Sequence, residues 1–414
     1  MNKSNSRVKD SFLRTWFLPV QLVLVGSSVA VAAYWYRDVN HRERLPALND
    51  RPRIVRPLYN YPLVVSDEQL AVVLEKLHPR FSEHPTKVNF VDHALRLWGL
   101  HAEFSDGSFS GRQMCEMLLD HQKYAQFWNA DNPLLRSSKN GISVATQEGR
   151  GSVSHVDHLL GTLTEIGMPL SVSIRTADGV GTVHDLLVNS LMSFRLNQKE
   201  YEWTALSAAF FVRDGSAWYS REGQRIDFNQ FAKRIMRQRQ PQGVCYGQHR
   251  LYALTVLLRI DEQMRSEGAK IGLFEEATRR DVVEYLVEMT HRFMETQHAE
   301  GYWDGNWSDD KQAIPDPQTD PLSRQILATG HALEWWAMAP KEFHPPRETM
   351  VRAGQWLATR VSEMDDRTIE KNYTFLTHAA RALALWRGGF AGDIHNERAN
   401  TDRMKDLVND EKSS

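Results

Sequence analysis

Residues 245–265 read CYGQHRLYALTVLLRIDEQMR. Leu251, Leu254, Val256, Leu257 and Leu258 spread around a helix rather than along one side, while Cys245, His249 and Tyr252 stand at i, i+4 and i+7 and share a face. The stretch reads as an apolar helix carrying one polar stripe. Two later stretches repeat the design. Arg324, His331 and Glu334 recur at near-heptad spacing among Ile326, Leu327, Leu333 and Trp336, and His378 with Arg381 sits among Leu376, Leu383 and Leu385. Burying such groups without partners costs about 1–3 kcal/mol each. The pattern therefore fits inner helices facing a wet cavity, or else the solvent faces of amphipathic helices and imidazoles satisfied by nearby backbone.

Outward from this region the helical period continues. Ser66 before Asp67-Glu68 predicts a helix N-cap with acidic residues in the first turn, followed by an apolar stripe of Leu70, Val73, Leu74 and Leu77. Further helices are predicted at about 88–103, 110–128, 153–167, 182–195, 198–212, 227–239, 246–265, 275–298, 321–338, 346–363 and 370–387. One short hairpin is expected, Trp218-Tyr219-Ser220 against Gln224-Arg225-Ile226. Many helices without βαβ alternation make an all-α domain. Its bounds are read as 63–391, between a linker at 37–62 rich in Arg and Pro and a charged, flexible tail at 392–414.

A basic segment, 1–15, precedes Trp16 to Tyr36, an uncharged run about as long as a helix that crosses a bilayer. It reads as a retained transmembrane anchor or uncleaved signal; the alternative is a signal cut after Ala30-Val31-Ala32. Basic residues flank it on both sides, so charge does not fix orientation. The expectation is a single-pass protein of the cell membrane with its C-terminal domain outside the cytoplasm. With Lys+Arg 50 against Asp+Glu 52, no global field exists to hold a nucleic-acid backbone. Nucleotide loops, the GxSxG elbow and HExxH are missing from the sequence, so neither nucleic acid nor nucleotide is expected as a partner. Cys115 and Cys245 make no CxxC spacing.

The stretch Phe293-Met294-Glu295-Thr296-Gln297-His298-Ala299-Glu300-Gly301-Tyr302-Trp303 resembles the Gln…Gly-x-Trp repeat of terpenoid cyclases and protein prenyltransferases, and a degraded echo stands at His101 to Phe109. The resemblance implies an α/α toroid, helical hairpins around a central cavity, with Gln297 capping an outer helix and Trp303 packed against the turn. The Asp-x-Asp-Asp element of hopene-type cyclases has no counterpart at Asp309-Asp310. Gly243-Val244-Cys245-Tyr246-Gly247 is similar to the zinc-binding Trp-Cys-Tyr-Gly element of lanthionine-cyclase-like toroids, although no third cysteine exists. From these likenesses zinc is the only cofactor considered, on Cys245, His249 and His331.

The expected catalytic residues are His249, Asp304 and His331, and the expected substrate contacts are Trp303, Trp307, Arg324, Glu334, Tyr373, His378 and Arg381. Asn372-Tyr373 followed by His378 holds the residue types that uronate lyases use for proton abstraction. His155-x-x-His158 sits at i, i+3, suited to a metal or to a surface. The functional expectation is an envelope enzyme, cyclase-like or lyase-like, acting on a lipid or polysaccharide. The alternative is a non-enzymatic envelope scaffold that binds a lipid, glycan or peptide.

Overall fold

The computed structural model describes residues 19–34, 45–80, 87–129, 131–238, 244–270, 272–305, 307, 321–399 and 401. Of the expected span 16–36, residues 19–34 form helix α1, whose Val20, Leu22, Val23, Leu24, Val25, Val29 and Val31 are exposed. The rest of that span, the basic segment 1–15 and Asp309-Asp310 lie outside the described residues. Among the described residues no helix is long and apolar enough to cross a membrane.

Ser66 starts the folded domain as read: its hydroxyl accepts from the Gln69 amide while the Gln69 side chain returns to the Ser66 N–H, a capping box for α2, Asp67–Lys76. There follow α3 (Val88–Trp98), α4 (Gly111–Leu119), α5 (His121–Phe127), α6 (His158–Glu165), α7 (Val183–Ser193), α8 (Glu202–Phe211), α9 (Phe228–Arg237), α10 (Gln248–Ser266), α11 (Glu276–Thr296), α12 (Pro321–Met338), α13 (Arg347–Ser362) and α14 (Asp366–Trp386). A last helix, α15, covers 391–399. The expected all-α class holds, with three small antiparallel hairpins added. These are β1 (Leu135–Ser138) with β2 (Gly141–Val144), β3 (Ser173–Arg175) with β4 (Val180–Thr182), and the anticipated β5 (Trp218–Tyr219) with β6 (Arg225–Ile226).

The helices fall into two kinds. All ten residues of α8 are buried, and α3, α6, α10, α12 and α14 are buried nearly all round. By contrast α2, α9, α11 and α13 bury one stripe, as in α9, where Phe228, Phe231, Ala232 and Ile235 face inward. The buried helices pack in sequence: α3 on α6, α6 on α8, α8 on α10, α10 on α12, α12 on α14, and α14 back on α3. The one-sided helices lean against them from outside, α11 on α10 and α13 on both α12 and α14. Gly330 explains how closely α12 meets α14, since a Cβ there would stand 3.1 Å from Ala379 Cα.

Two boundary expectations need correction. The described part of the expected linker, 45–62, is fastened to the domain: Asn49 and Arg53 donate backbone N–H groups to Phe211 and Phe210, Leu170 donates to Asp50, and Tyr61 donates to Trp386. This strap lies across the C-terminal ends of α8 and α14, and its Val55 is buried. The expected tail begins instead as α15, because Ile394 packs on the core and Gly392 lets this helix approach the Trp98 carbonyl. Arg and Pro content suggested freedom; backbone donors and a few apolar side chains decided otherwise.

Candidate functional site

Each buried helix except α8 brings a histidine to one level of the interior, and α8 brings Trp203. The His249 and His331 rings stand 4.6 Å apart, His331 and His378 4.1 Å, His378 and His93 5.2 Å, and His93 and His158 4.3 Å. His155, on the loop before α6, completes the circuit at 5.8 Å from His158 and 5.6 Å from His249. Trp203 packs on the edges of His158 and His249.

Local contacts fix the ring orientations. His331 Nδ1 is 3.0 Å from Glu334 Oε2, His158 Nδ1 is 2.5 Å from Asp92 Oδ2, and His93 Nδ1 is 2.8 Å from the Asn89 carbonyl. Each of these nitrogens faces an acceptor and so carries the proton, which leaves Nε2 as a lone pair. Nε2 of His158, His249 and His331 has no hydrogen-bond partner although all three residues are buried. Burial, reinforced by neighbouring imidazoles, holds His93, His249 and His378 well below the ordinary imidazole range; burial also lowers His331, partly offset by Glu334. His93, His249, His331 and His378 are therefore neutral at neutral pH, the state in which imidazole accepts a proton or a metal.

Cys245 and Tyr246 both lie in the left-handed region, at φ 50° and 56°, and Gly247 continues the run at 73°. Only glycine tolerates that region at little cost, so the two side chains are held under strain at the mouth of α10. The effect is to bring Cys245 Sγ close to His249 and His331, the ligand atoms of the three all lying within 4.8 Å of one another. The thiol is half-buried and pushed above its usual range by lost hydration and by Glu334 nearby.

One turn deeper lies an ionic layer. Arg96 donates from Nε to Glu165 at 2.6 Å and from Nη2 to Glu334 at 2.8 Å, Arg381 donates to Glu165 at 2.9 Å, and the Tyr252 hydroxyl also donates to Glu165. Burial alone would raise both carboxyls, but the guanidinium groups outweigh it: Arg381 and Arg96 hold Glu165 below its usual range, and Arg96 holds Glu334 well below. Above the imidazoles, the start of α3, the turn before α10 and the middle of α14 border a cavity of about 720 Å³. Its wall includes His93, His155, Cys245, Tyr246 and His378, and among the described residues its charged groups are Lys87, Arg150 and Lys371, with no carboxylate.

Of the residues expected from sequence, the structure brings together Cys245, His249, His331, Glu334, His378 and Arg381. Asp304 is elsewhere, paired with His298 at 3.3 Å and absent from the cavity wall. Trp303 is core rather than wall: its indole donates to the Phe293 carbonyl and its ring packs on Trp336. Trp307 stacks on Phe293 at 4.2 Å and donates to the Tyr246 carbonyl, so it supports the strained turn from behind. Tyr373 donates to the Leu77 carbonyl, and Arg324 is half-buried in the first turn of α12, two turns before His331. Sequence reading missed Asp92, His93, Arg96 and Glu165. A signal existed: His93/Arg96, His249/Tyr252, His331/Glu334 and His378/Arg381 repeat one i, i+3 spacing on four helices.

Comparison with family models, with curated proteins and with solved structures gives no match.

Proposed function

We propose that this chain is an α/α-toroid enzyme of the cell envelope, acting on an anionic lipid or polysaccharide in the cavity above the histidine cluster. One observation carries the reading: buried imidazoles from five helices converge beneath a wall whose charged groups, among the described residues, are positive. Such a cluster has no structural need that apolar side chains would not meet better, since each idle buried acceptor costs about 1–3 kcal/mol. The closed circuit of helix contacts supports the toroid, and so does Gln297, whose amide donates to the Gly301 and Thr349 carbonyls and so ties the end of α11 to α13. The exposed apolar side chains of α1 support the membrane anchor.

Lys87, Arg150 and Lys371, aided by the positive ends of α3 and α10, would hold the substrate anion at the mouth. His249, His331 and His378 would accept and return a proton below it. Cys245, His249 and His331 fit zinc in residue type and spacing: two have idle Nε2 atoms, and Glu334 orients His331 from behind as carboxylates do for metal-bound imidazoles. Zinc, when bound, would supply Lewis acidity to an oxygen of the substrate.

The test uses full-length protein in detergent, incubated with acidic glycans and with isoprenoid lipids. Growth of unsaturated-uronate absorbance marks the lyase form, and a cyclised lipid marks the cyclase form. His249→Ala with His331→Ala is expected to abolish turnover while the helical circular dichroism persists. Unchanged ligand binding and an unchanged cellular phenotype in the double variant would overturn the enzyme and favour a scaffold.

A further inference from the structure

We infer that the floor of this cavity presents a matched pair of imidazoles, a proton acceptor at His93 and an N–H donor at His378, set to draw a proton from a carbon next to a carboxylate. The inference rests on the proposed function and narrows it to one chemistry and to the groups that meet the substrate. Access divides the cluster. Nε2 of His158, His249 and His331 is sealed and unbonded, and these three residues are absent from the cavity wall, whereas His93, His155 and His378 form part of it.

Hydrogen bonds then give two of the wall imidazoles opposite characters. His93 Nδ1 donates to the Asn89 carbonyl at 2.8 Å, so Nε2 meets the cavity as a lone pair, with no hydrogen bond on it among the described residues. His378 is the reverse. Its Nδ1 faces Arg96 Nη1 at 3.4 Å, and a guanidinium can only donate, while Glu334 Oε2, at 3.8 Å, is too far to accept. The neutral ring therefore carries its proton on Nε2. The two rings stand edge to face, 5.2 Å apart at 89°, where α3 packs on α14. His155 takes no part in this pair: its ring contacts are with His158 and His249, and its Nδ1 faces Glu200 at 3.5 Å. Neither His93 nor His378 belongs to the Cys245–His249–His331 set, so the pair does not depend on zinc.

An acceptor beside a neutral N–H donor is what carbon-acid chemistry requires: one group removes the proton and the other holds the oxygen on which charge develops. The C–H bond breaks, its proton passes to His93 Nε2, and its electron pair moves onto the carboxylate, where His378 Nε2–H donates to an oxygen. Reprotonation by His93 restores the C–H bond; alternatively an oxygen leaves from the next carbon, a double bond forms, and that oxygen takes the proton from His93. Neither outcome needs a co-reactant. Lys87 and Lys371 stand six and seven residues before His93 and His378, so these cations lie toward the mouth and draw the acid down onto the pair. The substrate class is thus a uronate, or a similar acid with a C–H bond beside its carboxylate, rather than an isoprenoid.

Diethyl pyrocarbonate is the probe, since it acylates the lone-pair nitrogen of a neutral, reachable imidazole. The full chain in detergent is treated at neutral pH and the modified histidines are located by peptide mass mapping. His93 is expected to be labelled about tenfold or more faster than His378, whose lone pair lies against Arg96. Turnover is then followed on polygalacturonate. His93→Gln and His93→Ala should both lose about a hundredfold or more, because neither side chain is a base, whereas His378→Gln keeps an N–H donor and should retain about tenfold more turnover than His378→Ala. Label on His378 ahead of His93, or none on His93, overturns the pair even where turnover is seen, and the proposed function then stands without it. Labelling as expected with no turnover overturns the proposed function and, with it, the chemical use of the pair. The unaltered protein's labelling decides the tautomers even if a variant fails to fold.

Discussion

Glu165 shows how much a single side chain can depend on its partners. It is almost fully buried, accepts from Arg96, Arg381 and Tyr252, and is held below the ordinary carboxylate range by the two guanidinium groups. Glu165→Gln leaves buried positive charge uncompensated and is expected to cost about 3–5 kcal/mol, read from urea unfolding at neutral pH. The acid dependence follows from the direction of the shift. A carboxyl whose folded value lies below its unfolded one stabilises the fold fully above the unfolded value, about 4.3, and loses that contribution as the pH falls toward the folded value. Thermal melts from pH 6 down to pH 3 should therefore show the unaltered protein losing stability while its gap to the glutamine variant narrows. A constant gap would remove Glu165 from the acid response. Sequence gave little warning of this residue, because a glutamate near the end of α6 looks like a solvated charge until Arg96 and Arg381, 69 and 216 positions away, are seen to close on it.

At the level of elements, local signals were read well and long-range ones poorly. Ser66 announced α2 because a capping box is written within four residues, and Pro321 to Met338 fell where the apolar period put it. The hairpins β1–β2 and β3–β4 escaped because strands of three or four residues, half of them polar, are too short to show alternation. Two substitutions probe what joins the helices. Gln297→Ala removes bonds of 2.8 and 2.9 Å to Gly301 and Thr349, and the one accepted from Arg352, with an expected loss of about 1–2 kcal/mol in urea unfolding. Gly330→Val pushes α12 away from α14, where a Cβ already meets Ala379 N and Cα at 3.1 Å; a loss of about 1–3 kcal/mol and a lower melting temperature are expected. A neutral result at Gly330 would mean that the two helices slide apart without penalty.

For the whole molecule, the site was half legible. His249, His331 and His378 stood out because each interrupts an apolar helix with a polar neighbour at i+3. His93 obeys the same spacing, yet on α3 it is preceded by Asp92 and followed by Arg96, so the helix reads as an ordinary charged face. Asp304 and Tyr373 misled because residue type says nothing of direction: one pairs with His298 and the other with the Leu77 carbonyl. The strap at 45–62 allows a test at this scale. Removing residues 1–62 deletes the backbone donors to Phe210, Phe211 and Trp386, and at about 1 kcal/mol each the domain should lose about 3 kcal/mol or more, with a matching fall in urea midpoint. That strap crosses the C-terminal ends of the buried helices, while Arg96, Glu165, Tyr252, Glu334 and Arg381 fill the level beneath the imidazoles. Beneath the mouth, then, a long polymer meets a floor of mutually bonded charges, and a second cavity, lined by Arg53, Val55, Glu165, Tyr252 and Arg381, lies beyond that floor on the side of the strap.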